Sequence, residues 1–435
     1  MSGLLIAAPS SGSGKTTITL GLLRALRNRG VAIAPGKAGP DYIDPAFHSA
    51  ASGTPCLNFD AWAMRPELIS ANAALHRSGD RILVIEAMMG LFDGAADGTG
   101  SPANLAAMMG LSVVLVVDAS RMSHSVAPLV TGFAGFRADV RIAGVILNKV
   151  GSDRHETMLR HALDAIRMPV VAVIRSDKTL VLPERHLGLV QAGEHQGLEA
   201  FIEHAAEAVS VDCNFEFLLR VARQGLNTPS IANIRRLPPL GSHIAVARDI
   251  AFAFSYEHML LGWRRRGATI SFFSPLADEA PVAVADAIYL PGGYPELHAG
   301  EIAGAQNFRR GMMEAAARGT RIYGECGGYM VLGDGLIDAD GKRHEMLGLL
   351  PVVTSYEERS RHLGYRRVQP VDESFFGHAM TAHEFHFSNV VREGEADRLF
   401  RVRDALGVDL GEAGLRRGQI AGSYMHLIDL AGAPA

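Results

Sequence analysis

The chain has 435 residues, of which 48% are hydrophobic and 20% are charged, and its formal net charge is −4. A single hydrophobic core does not grow to this size, so we expect a soluble α/β protein of two or three domains. The small negative charge gives no electrostatic basis for a nucleic-acid partner or an anionic membrane partner.

The cysteines and the apolar runs predict the cellular compartment. Cys56, Cys213 and Cys326 are widely spaced and form no CxxC pair, which disfavours a disulfide framework and a structural zinc site. The N-terminal apolar run is too short for a signal-peptide core, and no stretch reaches the ~18 uncharged apolar residues of a membrane span. We therefore expect a cytoplasmic protein.

The first half of the chain alternates short apolar runs with helical segments, as in a parallel sheet covered by helices. A helix is predicted over 16–29, directly after a glycine-rich loop. Strands are predicted at 3–8, 31–34, 81–85, 111–117, 140–147 and 170–174. Each strand ends in a polar or glycine-rich segment, where open α/β sheets bind their ligands.

A linker is predicted over 226–241, because this segment contains several prolines and lacks hydrophobic periodicity. It separates a predicted domain at 1–225 from a second one at 242–435. The second domain begins another α/β series, with strands predicted at 243–247, 269–273, 287–290 and 321–323. One large sheet with an irregular insertion is the alternative organisation.

The loop after the first predicted strand has the composition of a phosphate-binding P-loop. Pro9 replaces the first glycine of the full pattern, but the later glycines, the lysine and the threonine are kept. Glycines let backbone N–H groups approach phosphate, lysine supplies positive charge, and the threonine hydroxyl can bind Mg²⁺. The predicted ATP-binding residues of this loop are Gly12, Ser13, Gly14, Lys15, Thr16 and Thr17. A glycine-serine turn that binds no nucleotide is the alternative.

Acidic side chains at neighbouring strand ends are candidates for the rest of a metal–triphosphate site. Glu86 directly follows an apolar run, in the position of a Walker-B-like acid, and Asp41 and Asp44 lie in a glycine/proline loop after the second strand. We expect these three side chains to contact metal or phosphate. Asp93 and Asp97 lie in another glycine-rich loop, and turn formation is the alternative for all four aspartates.

Asn148 ends a predicted apolar strand and is a candidate for recognising the nucleotide base. A carboxamide can pair with adenine through two hydrogen bonds. A cap at the end of the strand is the alternative from spacing alone.

The second half contains a cysteine on a predicted strand-to-helix turn, since Cys326 follows the strand at 321–323 and precedes two glycines. Such a turn presents a strained thiol beside backbone N–H groups, which lower a thiol pKa and can hold an oxyanion. The predicted oxyanion-binding positions are Gly327 and Gly293, the latter in a diglycine turn after the strand at 287–290.

Five histidines are candidates for activating this thiol: His298, His378, His383, His386 and His426. His426 lies in a short apolar stretch near the end of the sequence, and a structural or surface role is the alternative for each histidine. His383 and His386 are three residues apart rather than four as in the HExxH zinc helix, which disfavours a metalloprotease.

Taken in order, these motifs resemble the family of cobyrinic acid a,c-diamide synthases, including the form that acts on hydrogenobyrinic acid in aerobic cobalamin biosynthesis. The resemblance covers nearly the whole chain, and the ordered set is highly specific. The segments that carry it are 11–17, 39–45, 247–252, 273–276, 291–296, 325–328 and 383–386.

The resemblance implies a fold and a set of site residues. The fold is α/β: a dethiobiotin-synthetase-like P-loop domain with a parallel sheet, joined to a class I glutamine amidotransferase-like α/β domain. Cys326 is then the glutaminase nucleophile and His426 its activator. Many class I glutaminases carry Glu two residues after this histidine. This chain has Ile428 there and Asp429 next, so a third triad member is left open and a Cys–His pair is favoured.

In the first half, the resemblance implies roles in ATP binding. Lys15 and Thr16 contact phosphate and Mg²⁺, and Asn148 reads adenine. Thr16, Asp44 and Glu86 are the predicted metal ligands, and the predicted substrate or acyl-phosphate region comprises Asp41, Asp93 and Asp97.

The implied activity is ATP- and glutamine-dependent amidation of the a- and c-side-chain carboxylates of cobyrinic or hydrogenobyrinic acid through acyl phosphates. The implied ligands are ATP, Mg²⁺, L-glutamine and the corrinoid diacid, without nucleic acid or membrane, and a homodimer is one candidate assembly. The nearest alternative is a cobyric acid synthase or a nickel-sirohydrochlorin a,c-diamide synthase. A ParA/MinD-like ATPase is disfavoured, because its extra loop lysine is missing and it leaves the cysteine turn unexplained.

Overall fold

The computed structural model describes residues 3–185, 188–224 and 234–432, and the chain forms two compact units. The first unit comprises Met1–Trp62 and Pro66–Ile234, and the second comprises Ala63–Arg65 and Arg235–Ala435. Half of the predicted linker, residues 226–233, lies outside the described residues. The predicted domain boundaries therefore stay a prediction. No local pattern predicted that Ala63–Arg65 belongs with the second unit.

A parallel sheet lies at the centre of the first unit. Its strands are β1 (Gly3–Ala7), β2 (Ile33–Ala38), β3 (Leu57–Phe59), β4 (Ile82–Glu86), β5 (Ser112–Asp118), β6 (Ile142–Val150) and β7 (Val170–Arg175). They pair in the order β3-β2-β4-β1-β5-β6-β7. Each predicted strand of this half is present, whereas β3 was missed because it has only three residues. A separate two-stranded hairpin consists of β8 (Glu184–Arg185) and β9 (Gly188–Leu189).

Helices cover this sheet, which explains why strands such as β1 and β4 are apolar and buried along their whole length. The helices are α1 (Lys15–Asn28), α2 (Asp44–Ser52), α3 (Pro66–His76), α4 (Pro102–Met109), α5 (Val126–Gly135), α6 (Asp153–Ala165), α7 (Leu198–Ser210) and α8 (Phe215–Arg223). The predicted helix at 16–29 is α1. In the described part of the chain, no helix is both long and apolar enough to span a membrane.

The second unit contains a ten-stranded mixed sheet and a four-stranded sheet. Its strands are β10 (His243–Ala247), β11 (Thr269–Phe273), β12 (Ala287–Leu290), β13 (Arg321–Glu325), β14 (Gly335–Ile337), β15 (Arg343–Glu345), β16 (Val352–Ser355), β17 (His362–Pro370), β18 (Met380–His386), β19 (Asn389–Glu393), β20 (Asp397–Asp404), β21 (Asp409–Arg417), β22 (Ile420–Ser423) and β23 (Met425–Leu430). Its helices are α9 (Glu257–Arg265), α10 (Ala299–Gly304), α11 (Gln306–Ala317) and α12 (Gly327–Leu332).

The ten-stranded sheet changes character along its width. Its order is β11-β10-β12-β13-β22-β21-β20-β17-β18-β23. From β11 to β22 the pairing is parallel, and from β22 to β23 it is antiparallel. The four strands predicted for this half are β10 to β13, whereas the antiparallel part was not predicted. That part brings β23, which carries His426, into the same sheet as β13, which leads to Cys326.

Candidate active sites

The loop between β1 and α1 has the backbone that phosphate binding requires. Gly12 and Gly14 have φ angles of 78° and 85°, a left-handed conformation that glycine adopts without strain. Ser13 Oγ donates to the carbonyl of Ser10 at 3.0 Å, and Lys15 Nζ donates to the same carbonyl at 3.3 Å. Burial lowers the pKa of Lys15, against the opposing charge of Glu86. The loop thus places an ammonium group at the start of a helix.

Glu86, at the end of β4, is the centre of a buried polar cluster. Its Oε1 accepts from Thr16 Oγ1 at 2.8 Å and from Lys37 Nζ at 2.9 Å. Its Oε2 lies 2.6 Å from His48 Nε2. Lys37 Nζ also donates to Asp44 Oδ2 at 2.5 Å. The three predicted metal ligands, Thr16, Asp44 and Glu86, therefore lie together as expected.

The charges in this cluster determine its protonation. Burial alone would raise the pKa of Glu86, but Lys37 and His48 hold it well below its usual range. Burial alone would lower the pKa of Lys37, but the carboxylates of Asp44, Glu86 and Asp41 raise it. Burial and the charge of Asp41 raise the pKa of Asp44 to about 6. At neutral pH the cluster therefore holds ionised groups that neutralise one another.

The donor set here fits Mg²⁺, which prefers hard oxygen ligands and commonly takes one or two carboxylates together with phosphate and water. The Thr16 hydroxyl and the Glu86 carboxylate already meet, and Lys37 joins Asp44 to them. Among the described residues, no three His, Cys, Asp or Glu side chains are grouped as a metal site.

A cavity of about 480 Å³ opens beside this cluster and suits a polyanionic ligand. Lys15, Lys37 and Lys149 line it, together with Asp44 and Glu86. A neighbouring cavity of about 230 Å³ is lined by Asn148, Lys149 and Asp177, among others. The lysines favour phosphate groups in the larger cavity.

Asn148 lines the smaller cavity, but its carboxamide is already bound to protein. Its Nδ2 donates to the carbonyl of Ser13 at 2.9 Å, and its Oδ1 accepts from the N–H of Lys149 at 2.9 Å. The residue connects the end of β6 to the P-loop. Adenine recognition by Asn148 stays a prediction.

Each of the other three aspartates accepts a hydrogen bond from a nearby backbone N–H group. Asp41 Oδ1 accepts from the N–H groups of Ile43 and Asp44, and Asp41 also lies 3.8 Å from Lys37 Nζ. Asp93 accepts from the N–H of Gly90 at 2.9 Å. Asp97 accepts from Thr99 and, at 3.0 Å, from Trp62 Nε1. Asp41 lines the larger cavity, whereas Asp93 and Asp97 do not. The substrate or acyl-phosphate role of all three stays a prediction.

Sequence reasoning missed Lys37, His48 and Lys149. Lys37 precedes a loop that was singled out, and its position at the end of β2 was the available signal. His48 lies on α2, and no local pattern connects it to Glu86. Lys149 has a φ of 58° and donates to Asp118 Oδ2 at 2.6 Å, which also cannot be read from the sequence.

Cys326 lies at a strained turn between β13 and α12. Its φ and ψ are 48° and −107°, a conformation that non-glycine residues adopt only when the surrounding structure imposes it. Its N–H donates to the carbonyl of Ser423 at 2.8 Å, which fixes the turn against β22. The predicted strand-to-helix cysteine turn is therefore present.

Gly292 shows that Cys326 and His426 approach each other closely. A Cβ atom on Gly292 would lie 3.1 Å from Nε2 of His426 and 3.2 Å from Cβ of Cys326. Only glycine leaves this space open. The two predicted oxyanion positions also lie close together, because a Cβ atom on Gly327 would lie 3.1 Å from the backbone nitrogen of Gly293.

The resting protonation of this pair differs from the expectation for the turn. Burial and the charge of Glu296 raise the pKa of Cys326, although the N–H of Gly327 opposes the shift. Burial, with His383 and His386, lowers the pKa of His426 well below its usual range. The N–H of Gly327 lowers the thiol pKa as expected for the turn, but burial outweighs this effect. Thiol and imidazole are both neutral at rest.

The remaining candidate histidines have other partners. His298 lies 3.0 Å from Glu301 Oε1, and His378 contacts Arg235. His383 is opposite His426 in the pairing of β18 with β23. His386 stacks on Tyr424 with ring centroids 3.7 Å apart. His383 and His386 lie on a strand rather than on a zinc-binding helix.

The position of Asp429 excludes it as the partner of His426 in this structure. Its carboxylate accepts from Nε of Arg65 at 3.0 Å and from the N–H of Arg65 at 2.9 Å. A different carboxylate faces the histidine, since Glu325 Oε2 lies 3.8 Å from His426 Nδ1.

Known protein families match both halves of the chain. Residues 4–190 match the CobQ/CobB/MinD/ParA nucleotide binding domain, and residues 243–433 match the CobB/CobQ-like glutamine amidotransferase domain. The predicted combination of an α/β P-loop domain with an α/β glutamine amidotransferase domain is thereby confirmed.

Relatives match the chain over its full length. The chain is 68% identical to the hydrogenobyrinate a,c-diamide synthase of Sinorhizobium sp over 433 residues, covering 100% of each protein. Its identity is 67% to that of Rhizobium meliloti over 431 residues, covering 99% of each. It is 49% identical to that of Rhodobacter capsulatus over 434 residues, covering 98% of each. The chain therefore belongs to the family of the hydrogenobyrinate a,c-diamide synthases.

Proposed function

We propose that the chain catalyses the ATP- and glutamine-dependent amidation of the a- and c-side-chain carboxylates of hydrogenobyrinic acid, in cobalamin biosynthesis. The observation that carries this proposal is that one chain combines a lysine-lined phosphate cavity with a Cys326–His426 pair. The names of the full-length relatives favour the metal-free corrinoid over cobyrinic acid. ATP, L-glutamine and the corrinoid diacid are the proposed substrates.

The first unit activates the carboxylate, because a free carboxylate resists attack by ammonia. The γ-phosphoryl group of ATP passes to a side-chain carboxylate of the corrinoid and gives an acyl phosphate and ADP. Backbone N–H groups of the P-loop and the Lys15 ammonium hold the phosphates in line for this transfer. Mg²⁺, held by Thr16, Glu86 and Asp44, would neutralise charge on the phosphates when bound.

The second unit supplies ammonia. His426 Nε2 takes the Cys326 thiol proton as sulfur attacks the side-chain amide carbon of glutamine. N–H groups of Gly293 and Gly327 stabilise the oxyanion. His426 then returns the proton to the leaving nitrogen, which releases ammonia and leaves a γ-glutamyl thioester that water hydrolyses to glutamate. Ammonia attacks the acyl phosphate, phosphate leaves, and the amide loses a proton.

The enzyme is proposed to work in the cytoplasm without nucleic acid or membrane, and a homodimer is the proposed assembly. Size-exclusion chromatography with light scattering distinguishes a monomer of 46.5 kDa from a dimer.

Replacement of Cys326 tests the division of labour. Cys326→Ala should abolish diamide synthesis from glutamine and keep synthesis from ammonium salts, because only the glutaminase needs the thiol. Cys213→Ala is the matched control and should keep both activities. Synthesis is measured by mass spectrometry of the corrinoid product. Normal glutamine use by Cys326→Ala would refute the glutaminase assignment, and loss of both activities in folded protein would refute the division.

Product analysis with both corrinoids tests the substrate. We expect two successive small mass decreases for hydrogenobyrinic acid, because each amidation replaces a hydroxyl group by the lighter amino group, and a much lower rate with cobyrinic acid. Equal kcat/KM for the two diacids would contradict the proposed preference.

A further inference from the structure

Glu325, the residue before the cysteine, is a buried carboxylate that the mechanism above does not use. It is 1% exposed and ends β13. Its Oε2 accepts from Tyr289 Oη at 2.7 Å, and its Oε1 accepts from the N–H of Leu427 at 3.1 Å. The second contact holds the carboxylate beside β23, where Leu427 is the neighbour of His426. Glu325 thus accepts one hydrogen bond at each of its carboxylate oxygens.

The same carboxylate approaches Nδ1 of His426, whereas the Cε1–Nε2 edge of the ring borders the space beside Cys326. Oε2 of Glu325 lies 3.8 Å from Nδ1 of His426, whereas Nε2 lies near the point that also contacts Cys326. A separation of 3.8 Å is longer than a hydrogen bond, but catalytic contacts of this kind commonly shorten when substrate binds. The arrangement is thiol, imidazole, carboxylate, in that order.

A histidine base needs its proton on the nitrogen remote from the nucleophile, and an acceptor at that nitrogen fixes this tautomer. The sequence offers no acid at the second position after His426, where Ile428 stands, and Asp429 is bound by Arg65. Glu325, at the end of β13, instead approaches Nδ1 of His426.

We propose that Glu325 is the positioning residue of the glutaminase: it accepts the Nδ1–H of His426 and thereby keeps Nε2 free to take the thiol proton of Cys326. This inference rests on the proposed glutaminase function of the second unit. Glu325 stabilises the imidazolium that forms when the thiol is deprotonated, and it does not touch glutamine.

The protonation state of Glu325 should influence the glutaminase rate. Burial raises the pKa of Glu325 to about 8, although the hydrogen bonds from Tyr289 and Leu427 oppose the shift. Glu325 therefore ionises as the pH rises through that value and is fully ionised only above it. The titratable groups that face the Glu325–His426 pair are Tyr289 on β12, Tyr323 on β13, Cys326 after it, and His383 and His386 on β18.

The test compares Glu325→Gln with a control, Asp429→Asn. The control removes the charge of a different buried carboxylate, which lies on β23 together with His426. Glu325→Gln should lower kcat for glutamine hydrolysis by about tenfold or more with little change in KM. It should also remove one ionisation from the acidic limb of the kcat–pH profile. Asp429→Asn should keep both the rate and the profile. Ammonium-driven synthesis should persist in both variants.

A second variant keeps the test decisive if Glu325→Gln does not fold. Tyr289→Phe removes a hydrogen bond that lowers the pKa of Glu325, so the acidic limb should move to higher pH. The rate of Cys326 alkylation by iodoacetamide is followed by mass spectrometry. Its pH dependence should shift to higher pH by a similar amount.

Two results would overturn the proposal. One is a wild-type rate and profile in folded Glu325→Gln, and the other is an unmoved limb in Tyr289→Phe. If Cys326→Ala still used glutamine, the glutaminase function itself would be refuted. If Cys326→Ala lost glutamine use as expected while Glu325→Gln behaved like the wild type, only the role of Glu325 would be refuted.

Discussion

The phosphate cluster of the first unit and the cysteine turn of the second are both buried, but they hold charge in opposite ways. Around Glu86, burial is outweighed by direct contacts with Lys37 and His48, and Glu86 and Lys37 stay ionised. Around Cys326, burial wins, and thiol and imidazole stay neutral. The first site is prepared for ligands that arrive charged. The second creates charge only when a neutral amide is attacked.

The largest expected effect concerns the cation that keeps the first site ionised. Lys37→Met leaves Glu86 and Asp44 buried without their shared ammonium, and removal of one partner of a buried pair costs about 3–5 kcal/mol. We expect this loss of stability in the unfolding transition of the first unit, followed by denaturant titration. Lys149→Met is the control, since its ion pair with Asp118 is 42% exposed on the lysine side and contributes less than about 1 kcal/mol. Equal losses of unfolding free energy in the two variants would contradict the view that ion pairs hold the buried charges of the first site.

Glu86→Gln tests whether the charge of the first site serves catalysis. ATP-dependent amidation should fall by about 10²- to 10³-fold, because a ligand of the proposed Mg²⁺ is lost at a point of developing charge. Glutaminase activity, assayed as glutamate release, should remain. Glu156→Gln, which changes a carboxylate on α6, should keep amidation within about twofold. Near-normal amidation by Glu86→Gln at limiting Mg²⁺ would contradict the metal assignment.

Gly292→Ala tests how closely the neutral pair of the second site must approach. The added Cβ would overlap the space between His426 and Cys326, and overpacking costs about 1–3 kcal/mol. Glutamine-dependent synthesis should fall on the order of 10- to 100-fold, while ammonium-dependent synthesis stays. Gly304→Ala is the control, because nothing lies within 4 Å of its added Cβ. Full glutamine activity in Gly292→Ala would show that the two side chains do not meet at this point.

The smallest expected effect concerns Asn148. Asn148→Ala removes the hydrogen bond to Ser13, of about 0.5–1.5 kcal/mol, and should raise KM for ATP a few-fold. Discrimination against GTP should relax if the side chain also reads adenine. Asn28→Ala, at the exposed end of α1, should leave KM unchanged. An unchanged preference for ATP over GTP would leave Asn148 with only its structural contact to the P-loop.

How far the sequence predicts these sites depends on the range of the interactions. The P-loop and the cysteine turn could be predicted, because each is encoded within a few residues next to an apolar strand. Lys37 and His48 were missed, since they meet Glu86 from 49 and 38 residues away. The antiparallel strands were missed as well. Strand β17, for example, has mixed burial without a continuous apolar run, so its pairing with β18 is specified only by the folded sheet.

The three residues Ala63–Arg65 limit how the chain can be divided. They belong to the second unit although their neighbours on both sides belong to the first. Arg65 supplies the guanidinium that binds the buried Asp429, and Ala63 supplies the carbonyl that accepts from Thr381 Oγ1 at 2.5 Å. A fragment that begins at residue 235 would carry Asp429 and Thr381 without these partners. The glutaminase unit is thus built from two separate segments of the chain. Expression of the C-terminal segment alone would leave out the residues that bind Asp429 and Thr381 in its interior.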